Sequence, residues 1–273
     1  MRHLLFLLCL LALTCFSAVA ASIAIDQGLF GHLDQALVTS CTSDTGVNNA
    51  CGPTSFVNSL VYMENAHGNI YGNSLIPHQP GNTEEEDQIA AADVAACYMG
   101  CVGNAGGTGI FNFISGKQAY FDNYAPNTTY IENMNVFNNG IWPTFQFMYN
   151  MLAQGEDVEL LVGFYNVSNP TVRVGGHYVT LTGVSFGVPF ANGNGTINFV
   201  DPNGGTDFNN VPLSTSAAPG FAGAIYNNQT YVPGFYTAIE SVVAESPLPE
   251  PGTWILLMAA IPVFIAVRRR SAN

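Results

Sequence analysis

The spacing of apolar residues changes along the chain, and this change constrains the fold more than any other feature. In the first half, Phe56, Leu60 and Met63 recur at helical spacing, in a segment that begins at Cys51 and carries Pro53 in its first turn. In the second half, the stretch HYVTLTGV from residue 177 alternates as a half-buried strand does. Helices followed by strands predict an α+β class, with N-terminal helices packed on a C-terminal antiparallel sheet.

The same patterns predict the remaining elements. Thr83 followed by a run of acidic residues is typical of a helix start, and Trp142-Pro143 is expected to open a later helix. Helices are predicted over 51–67, 84–98, 110–121 and 144–152, and strands over 158–165, 177–184, 196–200 and 231–243.

The N-terminus has the features of a secretory signal peptide. Arg2 and His3 precede an apolar run from Leu4 to Phe16, and Ala18-Val19-Ala20 supplies a small-residue cleavage pattern. We therefore assign residues 1–20 to a signal peptide cleaved after Ala20, with a retained anchor as the alternative.

The C-terminus carries a second targeting segment, residues 247–273. The residues Pro249, Glu250 and Pro251 precede an apolar stretch from Thr253 to Val267, which is followed by three arginines at 268–270. This order resembles the PEP-CTERM sorting signal of Gram-negative bacteria, although Leu248 replaces the usual valine. The resemblance implies insertion into the inner membrane through Thr253 to Val267, cleavage by exosortase, and release to the cell surface or extracellular matrix. An ordinary membrane anchor is the alternative.

The domain between these segments, residues 21–246, is strongly acidic. The whole chain has 6 Lys and Arg against 19 Asp and Glu, a net charge of −13, and four of the six cations lie in the end segments. Only Lys117 and Arg173 remain in the domain. Such a surface repels nucleic acid, which we exclude as a partner.

Three residue types suited to thiol chemistry occupy the ends of predicted elements. Cys51 begins a helix, His177 begins a strand and Asp201 ends the next strand. A helix N-terminus stabilises a thiolate, a nearby imidazole exchanges its proton, and a carboxylate fixes the imidazole tautomer. We therefore predict a catalytic triad of Cys51, His177 and Asp201.

The sequences around these residues, NNACGPTS, GGHYVTLTGV and INFVDPNGG, resemble the signatures of papain-like cysteine peptidases of the bacteriocin-processing type. That family includes the peptidase domains of peptide-exporting ABC transporters. The resemblance implies a papain-like fold, hydrolysis of peptide bonds in a peptide or protein substrate, and no cofactor. It makes Cys51 the nucleophile, His177 the base and Asp201 the residue that orients His177.

One position departs from the family pattern. Thr45 lies where the family usually has a glutamine that donates to the oxyanion, so Asn48, Asn49 and Gln35 are the candidate donors. This departure keeps two alternatives open. The first is a non-catalytic surface or biofilm-matrix binding module on the same fold, and the second is transpeptidation or amide transfer.

The remaining cysteines indicate an exported protein with one disulfide. In an oxidising periplasm, two of Cys41, Cys97 and Cys101 are expected to pair, which leaves one free thiol. The other histidines of the domain lack metal-ligand spacing, and the acidic run at 84–87 is interpreted as a solvated helix start. We therefore predict no metal site.

Overall fold

The computed structural model describes residues 20–42, 48–72, 74–101, 107–124, 131–137, 141–187, 194–216, 222–228 and 231–246. The predicted signal peptide up to residue 19 and the whole predicted sorting segment lie outside the described residues. Among the described residues, no helix is both long and apolar enough to cross a membrane. The membrane helix predicted at Thr253 to Val267 lies outside the described residues, and none of the described helices supplies it.

The described residues form eight strands, five α-helices and three short 3-10 helices, the last at Gln27–Leu29, Gln35–Leu37 and Thr39–Cys41. The strands are β1 (Ala21–Ala24), β2 (Ile131–Val136), β3 (Asp157–Asn166), β4 (Asn169–Phe186), β5 (Gly195–Asp201), β6 (Thr206–Thr215), β7 (Ile225–Asn228) and β8 (Phe235–Ser246). The helices are α1 (Cys51–Ala66), α2 (Gly68–Tyr71), α3 (Glu84–Tyr98), α4 (Ile110–Tyr124) and α5 (Phe145–Ala153).

Six of the strands form a closed antiparallel barrel. Their order is β4-β3-β8-β7-β6-β5, and β5 pairs back onto β4. The closing pair joins Thr180 to Val200 and continues to Phe186 and Gly195. Outside this ring, β1 extends β4 and β2 extends β8.

The predicted fold class is therefore wrong. The α+β, papain-like arrangement required helices on an antiparallel sheet, whereas this sheet curls round and closes on itself. The sequence analysis missed β6 and β7, the two strands that connect β5 to β8. Closure depends on which strands pair, and the alternation of side chains along single strands does not encode that pairing.

The individual helices agree better with their predicted positions. The helix expected to start at Cys51 does so, and helices are also found at the other three predicted places. The predicted N-cap of α3 is confirmed as a capping box, because Thr83 Oγ1 accepts from Glu86 N–H and Glu86 Oε2 accepts from Thr83 N–H.

Apolar side chains pack on both faces of the barrel wall. Inside the barrel, Leu160, Val179 and Phe199 belong to one buried cluster. Outside it, Phe56 of α1 and Phe113 of α4 belong to a second cluster that covers β4, where Phe113 stacks on Tyr178 with ring centroids 4.4 Å apart. The helical layer is thus held against the outer face of β3 and β4.

A disulfide joins Cys41 to Cys101, and this confirms that two of the three candidate cysteines pair. The remaining thiol, Cys97, is exposed. The backbone N–H of Asn49 donates to Cys41 O at 3.2 Å, which connects the disulfide to the segment just before Cys51.

Candidate active site

Cys51 is the first residue of α1, where the helix N-terminus meets the barrel. Its side chain is partly buried, and no side-chain cap occupies the helix start at Ala50. Pro53 follows in the first turn, a position that needs no N–H partner. The free N–H groups of this turn and the helix dipole therefore act on the Cys51 thiol.

His177 and Asp201 meet just beyond the end of the β4–β5 pairing. The last paired residues of β4 and β5 are Thr180 and Val200. Asp201 ends β5 as predicted, but His177 does not begin a strand, because β4 starts at Asn169 and His177 pairs with Val162 of β3. His177 Nε2 lies 2.7 Å from Asp201 Oδ1, and the two side chains are 13% and 7% exposed. The Cys51 thiol is close enough to the His177 ring for each side chain to shift the pKa of the other.

The turn after Asp201 is fixed by the segment before α1. Gln35 N–H donates to Pro202 O at 2.7 Å, and Gly204 N–H donates to Asp34 Oδ1 at 3.1 Å. Gly205 has a left-handed backbone with φ of +57°, and a Cβ at this position would clash with His32 O. The glycines of the DPNGG motif thus allow this turn to approach the first segment closely.

Tyr231 is a site residue that the sequence analysis missed. Its hydroxyl donates to Asp201 Oδ2 at 2.7 Å, and Asp201 Oδ1 also accepts from Asn203 N–H at 2.8 Å. The Tyr231 ring packs edge-on against Phe199 and Phe208. Tyr231 lies 30 residues from Asp201 in sequence and belongs to none of the three motifs, so no local signal identified it.

The three triad side chains shift one another's pKa values. Burial alone raises the pKa of Cys51, but the hydrogen bond and charge of His177 outweigh burial and lower it below the ordinary value. Burial alone lowers the pKa of His177, but hydrogen bonds to Asp201 and Cys51 raise it to about 10. Burial also opposes ionisation of Asp201, yet His177 and then Tyr231 hold its pKa below the usual range. These directions favour a thiolate–imidazolium pair at neutral pH.

Gly176, directly before His177, makes room for a salt bridge. A Cβ on Gly176 would clash with the guanidinium of Arg173. Arg173 donates to both carboxylate oxygens of Glu240, at 2.7 and 2.9 Å, and Tyr165 donates to the same carboxylate at 2.7 Å. This network stiffens the β3–β4 arm that carries His177.

The three oxyanion candidates have different surroundings. Asn48 uses its side-chain N–H groups on the backbone carbonyls of Gln35 and Val38, so it braces the loop. Asn49 lies against the backbone of Gly107. The Gln35 side chain alone of the three lines the cavity next to His177 and Asp201. Thr45 lies outside the described residues.

That cavity has a volume of about 380 Å³ and an aromatic wall. Besides Gln35, His177 and Asp201, it is lined by Phe164, Asn203, Phe208, Tyr231 and Val232. A group bound there would contact the imidazole on one side and apolar side chains on the other.

A second charged cluster lies away from the cavity, at the opposite end of β3. Asp157, Glu159 and Glu245 place carboxylate oxygens within 4.8 Å of one another. This spacing suits a metal ion and was not predicted from the sequence. However, the ammonium group of Lys117 contacts both Glu159 and Glu245, so a cation of the protein already occupies the position between these carboxylates.

In comparisons with known proteins, no family model matches the chain, and no curated protein matches its sequence. The likeness to papain-like peptidases and to a sorting signal therefore stays a prediction from short motifs.

Proposed function

We propose that this protein is a thiol hydrolase that cleaves peptide or related amide bonds. The observation that carries the proposal is the sequence of contacts from the Cys51 thiol to His177 and from His177 to Asp201 at the edge of an open cavity. A thiol, an imidazole and a carboxylate connected in this order form the arrangement used for nucleophilic catalysis.

The proposed reaction begins with attack of the Cys51 thiolate on the substrate carbonyl. The developing oxyanion lies near the N-terminus of α1, where backbone N–H groups stabilise negative charge, and the Gln35 amide is a further donor. The His177 imidazolium then protonates the leaving amine, which produces an acyl-enzyme on Cys51. Water, deprotonated by His177, hydrolyses this thioester and restores the thiol.

The aromatic cavity wall indicates the substrate side chain. Phe164, Phe208 and Val232 present apolar surface beside the imidazole, so we propose a peptide with a bulky apolar residue near the cleaved bond.

A peptide library cleaved by the purified protein tests this function. Wild type is expected to hydrolyse a subset of peptides, whereas Cys51→Ser and His177→Ala should fold normally and lose more than about a hundredfold in rate. The matched control is Cys97→Ser, which removes the exposed thiol and should leave the rate unchanged.

The same assay separates the alternatives. Transfer of the acyl group from Cys51 to an added amine would indicate amide transfer rather than hydrolysis. If Cys51 is unreactive and Cys51→Ser binds peptide as tightly as wild type, the protein is a binding module and the hydrolase proposal is wrong. Thr45, at the position where the resembling family has glutamine, is the observation that favours this second candidate.

A further inference from the structure

Lys117 is a lysine with no access to solvent. It projects from α4 toward the barrel, and its Nζ contacts Glu245 Oε1 on β8 and lies 2.5 Å from Glu159 Oε2 on β3. All three side chains are at most 1% exposed. A helix and two strands therefore bring an amine and two carboxyl groups together in the protein interior.

Asp157 completes the cluster from the neighbouring position on β3. It is paired directly with Glu245 in the antiparallel register, and its Oδ1 accepts from Glu245 N–H at 3.1 Å. The carboxylate oxygens of Asp157 and Glu245 also lie within 4.8 Å of one another. Two buried carboxyl groups this close disfavour double ionisation, so Asp157 is the acid of the cluster beside Glu245.

The surroundings make charge separation in this cluster unfavourable. The rings of Phe56 and Phe113 lie with their centroids 5.1 Å from Lys117 Nζ, and the exposure of Asp157 and Glu159 is 0%. Burial raises the pKa of Asp157 to about 7 and that of Glu159 to about 8, and neighbouring carboxyl groups contribute to both shifts. Ionic pairs in such surroundings lose their hydration, and a neutral covalent product does not carry that cost.

We propose that this cluster is a self-modification site, at which Lys117 Nζ and Glu245 Cδ join in an intramolecular amide bond. Nothing outside the cluster is needed, because the four side chains supply the nucleophile, the electrophile, a base and an acid. The proposal is independent of the hydrolase function of Cys51.

The step balances as a condensation. Glu159 accepts one proton from the Lys117 ammonium, and the resulting amine attacks Cδ of Glu245. A C–N bond forms and a C–O bond breaks. The departing oxygen takes one proton from Asp157 and one from the nitrogen, so it leaves as water. The proton held by Glu159 then returns to Asp157, and no oxidant or reductant takes part.

The product would fasten α4 of the helical layer to β8 of the barrel. It would replace one positive and one negative charge by a neutral amide, which removes the cost of keeping two charges without hydration. The bond would also close a loop from residue 117 to residue 245, and such a constraint restricts the unfolded chain as a long-range disulfide does.

Mass spectrometry of the purified full chain tests the proposal. After reduction and alkylation, and with the mass of the added alkyl groups subtracted, the expected mass is lower than the sequence mass by one water. A digest should contain a branched peptide that joins residue 117 to residue 245. A wild-type mass equal to the sequence mass, or a bond from Lys117 to another carboxyl group, would overturn the proposal.

Variants assign the roles within the cluster. Lys117→Met should restore the full sequence mass, and Glu159→Gln should slow formation of the bond at least tenfold because the base is lost. Asp122→Asn, an exposed acid on the same helix, is the control and should form the bond as wild type does. If Lys117→Met fails to fold, the wild-type mass still decides. Cys51→Ser should keep the bond, so this test and the hydrolase test fail separately.

Discussion

Two clusters of ionisable side chains are built on strands of the barrel and the helices beside them, and they differ in whether a ligand can reach them. The Cys51–His177–Asp201 cluster lies at the barrel mouth beside a cavity of about 380 Å³. The Lys117 cluster is covered by α4 and has no exposed side chain. Both contain hydrogen-bonded pairs of opposite charge, so charge pairing alone does not distinguish a reactive site from an internal one.

The directions of the pKa shifts show how the clusters differ. At the barrel mouth, hydrogen bonds outweigh burial, so the pKa of Cys51 falls, that of His177 rises and both remain charged. In the Lys117 cluster, burial and neighbouring carboxyl groups outweigh the single lysine, so the pKa values of Asp157 and Glu159 rise. The first cluster is suited to attack on a bound molecule, and the second is suited to chemistry within the protein or to stability.

The largest expected effect follows from removing Lys117, which should lower the stability of the protein and leave the reactivity of Cys51 unchanged. Lys117→Met leaves buried carboxyl groups without their cation, and we expect unfolding free energy to fall by at least about 3 kcal/mol. Urea unfolding measures this loss. The control, Gln118→Met at an exposed neighbouring position, should change stability by less than about 0.5 kcal/mol. In folded Lys117→Met protein, below its melting temperature, the rate of Cys51 alkylation should depend on pH as it does in wild type. A shifted pH profile would mean that the two clusters are coupled.

The second-largest expected effect is the contribution of the buried carboxyl groups to the pH dependence of stability. The folded-state pKa of Glu159, about 8, lies above the unfolded value of about 4.3. As pH rises through this interval, the unfolded chain releases the proton first, so stability falls by up to about 1.4 kcal/mol per pH unit from this group. Between pH 5 and 9, the free energy of unfolding should therefore decline less steeply with pH for Glu159→Gln than for wild type. Parallel curves for the two proteins would contradict this account, and Glu85→Gln on the exposed surface is the control.

The smallest expected effect follows from removing the Tyr231 hydroxyl, and it concerns only the reactivity of the site at the barrel mouth. Tyr231→Phe keeps the packing against Phe199 and Phe208 but removes one of the donors to Asp201. A net loss of about 1 kcal/mol corresponds to a rate change of roughly fivefold. The pKa of Asp201 should rise toward its ordinary value, and the high-pH limb of Cys51 alkylation, which reports His177, should move upward. An unchanged limb would limit Tyr231 to packing, and Tyr149→Phe, in α5 against Phe186, is the control.

The sequence predicted single elements well and their assembly poorly. Apolar spacing located the four long helices and four of the barrel strands, because each pattern is local. It missed β6, which is rich in Asn and contains Pro212, and β7, which has four residues. Without these strands the sheet was predicted as an open layer, and the closed barrel was not foreseen.

The two clusters were predictable to different degrees for the same reason. Cys51, His177 and Asp201 each belong to a short motif with a chemical meaning, so the sequence predicted that they meet, and the structure brings them together. The Lys117 cluster has no motif. It depends on the register that pairs Asp157 with Glu245 and on the packing of α4 over both strands, which are tertiary properties.

The pH dependence of thiol alkylation at Cys51, with Cys97 as the internal reference, tests the central claim most directly. A neutral haloacetamide reacts with thiolates, and peptide mapping assigns each modified cysteine. We expect Cys51 to react at pH 6 at nearly its neutral-pH rate, because His177 stabilises the thiolate. A Cys51 rate that rises with pH around the ordinary thiol value of about 8.5, or no reaction in the folded protein, would contradict the proposed active site.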